Sequence, residues 1–281
     1  MSSVVRVPVA SARALLAGAI DYAGLFPPAG LGMAVAAANY RRYRASADAW
    51  ALGRFVCPAA RLAELEALLG ACDADWRVAA TGGNDAEADR AALAQCARAD
   101  VLETRHAAPP ASYAKAGLTV YRELDPGTAD FAAQAAAAHA SGARLKLRAG
   151  GVTAAAIPAT EAVLRFLEAC RGLGAAFKAT AGLHHALRGE HALSYEAGGA
   201  RATMHGYLNL MLAWATLARL GRGSSLEALE RRDPPAFGER AITWGPYRWG
   251  LEEIAALRRS FIGFGSCSFT EPLAELAALA A

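Results

Sequence analysis

Residues 176–185 read A-F-K-A-T-A-G-L-H-H. Phe177 and Ala179 alternate with Lys178 and Thr180, and Ala181-Gly182 ends the run, which is the pattern of a short strand with one apolar face. The lysine is out of character for this chain. Of 29 basic residues, only Lys115, Lys146 and Lys178 are lysines; the other 26 are arginines. A chain that meets nearly every need for positive charge with arginine, yet keeps lysine inside an apolar run, points to a need for an amine. Lysine can lose its proton and act as a nucleophile, whereas arginine effectively cannot. Lys146 interrupts a similar run, L-K-L-R at residues 145–148.

Outward from this stretch the chain keeps a beat of short strand followed by Ala/Leu/Glu-rich helix. Strands are expected over residues 50–57, 76–81, 100–104, 118–124, 144–148, 176–181, 241–245 and 261–267. Helices are expected over 61–69, 85–98, 130–140, 158–171, 203–220, 224–231, 251–259 and 271–280. The segment through Pro109-Pro110 reads as loop or short helix, and residues 182–202 as irregular. Eight strand–helix units with no break in composition predict an α/β fold, a (β/α)8 TIM-type barrel forming one domain over residues 1–281. Residues 1–48 are expected as an N-terminal helical extension, with helices over 11–20 and 31–44. The Gly/Pro-rich loop from Asp21 to Gly30 between them is placed over a barrel mouth or against a partner subunit. On this count residues 176–181 are the sixth strand. No G-x-G-x-x-G or phosphate-loop motif supports a nucleotide-binding fold.

In a barrel, side chains of one strand face alternately inward and outward. Leu145 and Leu147 facing the helices send Lys146 and Arg148 inward; Phe177 and Ala179 outward leave Lys178 and Thr180 inside. Val120 and Leu124 outward put Tyr121 and Glu123 in the lumen and leave Arg122 on the apolar face. Glu103 joins the inward set. Buried charges are costly unless paired, so an ion-pair network is one reading of these residues. The other is chemistry at the C-terminal rim, where barrel enzymes carry their sites. A lysine beside a second cation and partly desolvated is expected to have a lowered pKa.

F-K-A-T-A-G resembles the Schiff-base strand of class I aldolases of the deoxyribose-phosphate aldolase type, F-[IV]-K-T-S-T-G, and L-K-L-R is similar to a lysine-bearing strand of the same enzymes. The resemblance covers about fifteen residues, and implies a barrel with imine chemistry at Lys178. That family also carries a second essential lysine on strand seven in a Gly-Gly context, and this chain has no lysine after Lys178. The His184-His185 pair has no counterpart there either.

Four of six histidines, His184, His185, His191 and His205, follow closely on this strand. They suit proton transfer or, with His184, His185 and His205 as ligands, a divalent zinc, iron or manganese ion. The spacing matches no established metal motif. His205 and Asn209 share one face of an apolar helix, as a core-satisfied pair or as substrate contacts. Residues 261–272, F-I-G-F-G-S-C-S-F-T-E-P, put Gly263, Gly265 and Ser266 where barrels hold anions. Simple tight packing accounts for the same glycines. Cys267 reads as a buried small thiol or a nucleophile.

Five cysteines without a C-x-x-C pair fit reduced thiols. A net charge of +3 with scattered arginines speaks against nucleic acid, and no apolar run approaches a membrane span. No secretory cleavage site follows the short apolar stretch near residue 20, so a cytoplasmic protein is expected, with a homo-oligomer compatible. The leading expectation is a lyase of aldolase type, acting without a cofactor on a small anionic or carbonyl compound. Lys178 forms the imine, and Lys146 depresses its pKa. His184 or His185 shuttles protons, and Glu123 is acid/base or ion-pair partner. Arg148, Thr180, His205, Asn209, Gly265 and Ser266 contact substrate. The rivals are a metal-dependent hydrolase or lyase built on the histidines, and a non-catalytic binder of small acids.

Overall fold

The computed structural model describes residues 9–108, 110–113 and 115–279. Pro109 of the expected loop and Ala280 of the expected last helix lie outside the described residues, as do residues 1–8. A short helix α1 (Ala10–Leu16) leads into strand β1 (Ile20–Tyr22) and helix α2 (Met33–Arg44). Then come β2 (Leu52–Pro58), α3 (Leu62–Leu68), β3 (Val78–Thr81), α4 (Ala86–Gln95) and β4 (Ala99–Thr104). A single 3-10 turn at Pro110–Tyr113 stands in the connection to β5 (Thr119–Leu124), and α5 (Phe131–Ala140), β6 (Arg144–Arg148), α6 (Thr160–Leu173) and β7 (Phe177–Thr180) follow. After β7 the chain makes a hairpin, β8 (Gly189–Ala192) and β9 (Arg201–Met204), then α7 (Tyr207–Leu220) and α8 (Arg222–Glu230). Strands β10 (Ala236–Phe237), β11 (Ala241–Trp244) and β12 (Tyr247–Gly250) precede α9 (Leu251–Ser260), β13 (Phe261–Ser266) and α10 (Thr270–Leu279).

Eight parallel strands close a barrel in the order β1-β13-β7-β6-β5-β4-β3-β2. The protein is therefore a (β/α)8 TIM-type barrel. Alternation sorts its side chains as the pleat requires. Val56, Ala79, Val101 and Tyr121 pack together as a lumen layer. On the outside, the Phe177 ring meets Phe166 of α6 at 5.6 Å and Trp214 of α7 at 5.0 Å. Helix α6 buries Val163, Leu164, Phe166, Leu167 and Cys170 on one stripe and ends at Gly174, whose left-handed φ of 64° stops the helix. No helix among the described residues is long and apolar enough to cross a membrane.

Two strands depart from the sequence expectation, and together they renumber the barrel. Ile20–Tyr22 is the first barrel strand, pairing with β13 on one side and β2 on the other. The N-terminal segment is thus built into the barrel instead of preceding it as a helical extension. Residues 241–244 do form a strand, but an antiparallel one. Trp244 pairs with Tyr247 across Gly245-Pro246, and the left-handed φ of 57° at Gly245 suits this two-residue turn. A parallel barrel strand would need a long crossover instead. The strand of Lys178 is consequently the seventh and that of Lys146 the sixth. The irregular residues 182–202 and the start of the expected helix at 203 contain the β8–β9 hairpin.

Candidate active site

A buried chain of alternating charges runs across the barrel interior. The Lys178 ammonium lies 2.5 Å from Asp21 Oδ2 on β1 and donates a second hydrogen bond to Glu103 Oε1 on β4. Glu103 Oε2 is 2.7 Å from Lys146 Nζ, whose other partner is Glu123 Oε2 at 2.8 Å. Glu123 Oε1 accepts from Arg105 Nε at 2.7 Å. The register explains the meeting: Lys146 is opposite Lys178 on β7 and opposite Glu123 on β5. Glu103 and Glu123 each lie between two cations, and Asp21 is satisfied by Lys178 and by the Arg54 amide, which offsets the cost of desolvating them.

This pairing sets the protonation states. Burial alone would push the Glu103 carboxyl up, but the Lys146 and Lys178 ammonium groups prevail and hold it down at about 2. Glu123 is likewise lowered, by Lys146 and Arg105 against the effect of its burial. Burial pulls the Lys178 amine down, yet Asp21 and Glu103 outweigh it and the amine is raised. The lowered pKa expected for Lys178 is thus the wrong way round, because two carboxylates stand closer to it than any second cation. Its ammonium also lies 5.6 Å from the Tyr121 ring centroid, a further reason to stay charged.

Above this network opens a cavity of about 460 Å³ at the C-terminal ends of the strands. Glu103, Glu123, Lys146, Arg148, Thr180 and His184 reach it, with Gly265 and Cys267 on the β13 side. Lys178 does not line it. With Asp21, Arg54 and Tyr121 it borders a separate void of about 10 Å³ at the other side of the network, room for about one water. The Asp21–Gly30 loop contributes Ala23, Phe26 and Pro27 to the mouth, so it covers this opening. Among the described residues the Arg148 guanidinium, exposed at the rim, makes no ion pair. The far wall is built on a close backbone approach: a Cβ on Gly150 would stand 3.1 Å from Gly182 Cα. Ala181 between Thr180 and Gly182 takes a left-handed φ of 65°, an uncommon and costly conformation for alanine that shapes the exit of β7.

The histidines separate. His184 is 7% exposed and faces the cavity, with its Nδ1 3.3 Å from Cys267 Sγ and 3.4 Å from Ser266 Oγ. Burial lowers its pKa to about 4, with the neighbouring His185 adding to the effect, and raises that of the Cys267 thiol, so the contact is between neutral groups. His185 turns away, its Nδ1 2.6 Å from Glu275 Oε1 and its ring stacked on His191 at 3.5 Å. His205 is buried, with Nε2 2.8 Å from the Pro158 carbonyl and Nδ1 3.2 Å from Arg188 Nη1. His184, His185 and His205 therefore serve different partners. Among the described residues no three or more His, Cys, Asp or Glu side chains converge as metal ligands.

Asn209 is a staple, not a pocket residue. Its Oδ1 accepts from the Arg188 amide at 2.7 Å, and its Nδ2 donates to the carbonyls of Ala228 at 2.9 Å and Arg231 at 2.8 Å. His205 and Asn209 are outside the cavity lining, correcting the expectation that they touch substrate. Ser266 borders His184 from behind and accepts from the Ser268 amide at 3.3 Å. Sequence reasoning missed Asp21 as a site residue. Its signal was the same as that of the lysines, a charge inside an apolar run, A-I-D-Y-A. No protein-family model and no curated protein matches this chain.

Proposed function

We propose that the protein is a lyase of aldolase type, in which Lys146 forms an imine with a small oxygenated carbonyl compound bound at the barrel mouth. The observation that carries the reading is the presence of an amine-bearing side chain, held between two carboxylates, at the floor of the large cavity. Both lysines are held between two carboxylates, and what separates them is access: Lys146 lines that cavity and Lys178, tied to Asp21 and Glu103, does not, so Lys178 serves better as a fixed cation. The renumbered barrel also favours this division. The aldolases that the lysine strands resemble carry a Schiff-base lysine on strand six and a second essential lysine on strand seven, the positions of Lys146 and Lys178 here, although the motif match itself, F-K-A-T-A-G, falls on Lys178.

In this mechanism Lys146 first gives up a proton, a step that its ion pairs with Glu103 and Glu123 oppose; the acceptor within reach is Glu123, 2.8 Å away, and the freed amine adds to the substrate carbonyl carbon. The carbinolamine oxygen takes up a proton and leaves as water, giving the iminium. As the bond between the α and β carbons breaks, its electron pair moves toward that cation to form an enamine, and the β-hydroxyl loses its proton to become the carbonyl of the released product. Neutral His184 is placed to take or return the proton of the substrate hydroxyl. Arg148, unpaired at the rim, suits an anionic group on the far end of the substrate.

Borohydride trapping tests the proposal. The protein is incubated with glycolaldehyde, glyceraldehyde, dihydroxyacetone or pyruvate and reduced, and the adduct is located by peptide mass mapping. An adduct at Lys146 that is lost in Lys146→Met is the expected result. An adduct at Lys178 would move the imine to β7; turnover of any of these compounds without an adduct would end the imine reading. The second reading, a non-catalytic binder of small acids, is favoured by one observation, that the charge network is satisfied without a ligand. Saturable binding with no product from any of these compounds would favour it. A divalent-metal enzyme has less support, since its three candidate histidines face different partners.

A further inference from the structure

Arg122 stands on the face of β5 opposite to Tyr121 and Glu123, outside the barrel and toward α5. Among the described residues its guanidinium makes no ion pair, and its Nη1 is shut off from solvent without a hydrogen-bond partner. Burial pulls its pKa down. Arginine stems often lie along apolar surface with the head in water, but this nitrogen is not in water. A buried donor left unpaired is costly. A cavity of about 150 Å³ lies against it, between the segment leaving β4 and helix α5.

A second unpartnered polar atom borders the same cavity. His106 Nε2 is buried without a hydrogen bond; the nearest carboxylate, Asp89 Oδ2, is 3.9 Å away and beyond hydrogen-bond reach. Two of the few buried polar side-chain atoms left without partners therefore meet at one void. The remaining wall is mostly methyl groups, with Val120, Ala137 and Ala138 among them, and its other two polar side chains, Gln134 and Ser141, already donate to Asp130 and to the Ala138 carbonyl. Two unpartnered polar groups on the wall of a small, largely apolar cavity describe a ligand with an anionic head and a short aliphatic body.

We propose that this cavity is a binding site for a short-chain aliphatic monocarboxylate, its carboxylate accepting from Arg122 and His106 and its alkyl chain lying on the alanines of α5. At about 150 Å³, against about 10 Å³ for the void beside Lys178, the cavity has room for an acid of a few carbons. A phosphate would place further charged oxygens against methyl groups, where the other donors on the wall, Gln134 and Ser141, already have acceptors of their own. The site is separate from the barrel mouth and does not depend on the imine reading.

The test is calorimetric titration and thermal unfolding of the full chain with sodium butyrate, against inorganic phosphate and sodium chloride at matched ionic strength. Saturable butyrate binding that raises the unfolding temperature is expected, with Lys146→Met and Arg148→Met responding like wild type. Arg122→Met is expected to weaken butyrate binding about tenfold or more. Ala138→Leu, which fills the void but keeps the guanidinium, is expected to do the same, and supports the proposal even if Arg122→Met does not fold. Absence of saturable butyrate binding, an unchanged response in Arg122→Met or Ala138→Leu, loss of the response in Arg148→Met, or phosphate binding as tightly as butyrate would each overturn it.

Discussion

Asp21 and Lys178, 157 residues apart in the chain, meet at 2.5 Å inside the barrel. The contact ties the first barrel strand to the seventh, across the β13 strand that separates them in the sheet. Asp21→Asn removes the charge and leaves the buried ammonium with Glu103 alone. Breaking a buried pair from one side costs about 3–5 kcal/mol, because the other charge stays behind. Urea denaturation of Asp21→Asn is expected to show a loss of that order. The double variant Asp21→Asn/Lys178→Met is expected to lose less than the single one, since the half-paired cation is gone and Glu103 keeps Lys146.

Acid should unfold the protein partly through Glu103. Its carboxyl is held at about 2, below the ordinary 4.5, so the folded state binds the proton less readily than the unfolded chain. Its contribution is fully present above the unfolded value and is lost as pH falls from about 4.5 to about 2. A shift of this size amounts to on the order of 3 kcal/mol. Glu103→Gln is expected to lower stability at neutral pH and to flatten its slope in that window. Chemical denaturation from pH 2 to 7 checks both.

His184 should titrate in the opposite sense to a histidine that gains an anionic partner. Its folded pKa of about 4 is below the ordinary 6.5, so the unfolded chain takes up its proton first. Stability from this group is present above 6.5 and is lost as pH falls toward 4. The imidazole resonances of His184 in NMR are expected to hold their neutral positions down to about pH 5, and His184→Gln to remove this part of the acid sensitivity. A His184 midpoint near 6.5 in the folded protein would overturn the lowering by burial and with it this group's share of the acid sensitivity.

The parts of the site that were readable from sequence share one property: the alternation was local. In L-K-L-R and A-F-K-A-T a charge at every second position of an apolar run assigns its own face, and Lys146, Lys178, Glu103 and Glu123 do point inward as that rule requires. The partners of those charges were not readable, because pairing across a closed barrel depends on which strands are neighbours. Strand β1 has three residues, too few for a period to show, and omitting it cost both the strand numbering and Asp21. Strand β11 was legible as a strand but not as a hairpin arm, although Gly245-Pro246 carried the turn signal. The histidines misled for a different reason. Closeness in sequence said nothing about direction, and each ring found its own partner: His184 meets Cys267 after β13, His185 meets Glu275 on α10, and His205 meets the Pro158 carbonyl ahead of α6.

Asn209 offers a clean separation between structural and functional roles. It fixes the segment after β7 to the end of α8 through one accepted and two donated hydrogen bonds. Asn209→Ala strands the Arg188 amide and the carbonyls of Ala228 and Arg231 without that partner. Unsatisfied buried groups of this kind cost about 1–3 kcal/mol each when they cannot reach water; with partial relaxation a total loss of about 2–4 kcal/mol is expected. Because no atom of Asn209 lines the mouth cavity, the yield of borohydride adduct at Lys146 in the folded variant should stay within about twofold of wild type. Denaturation and trapping on the same preparation separate the two effects. A variant that keeps its stability but loses the adduct would return Asn209 to the substrate site.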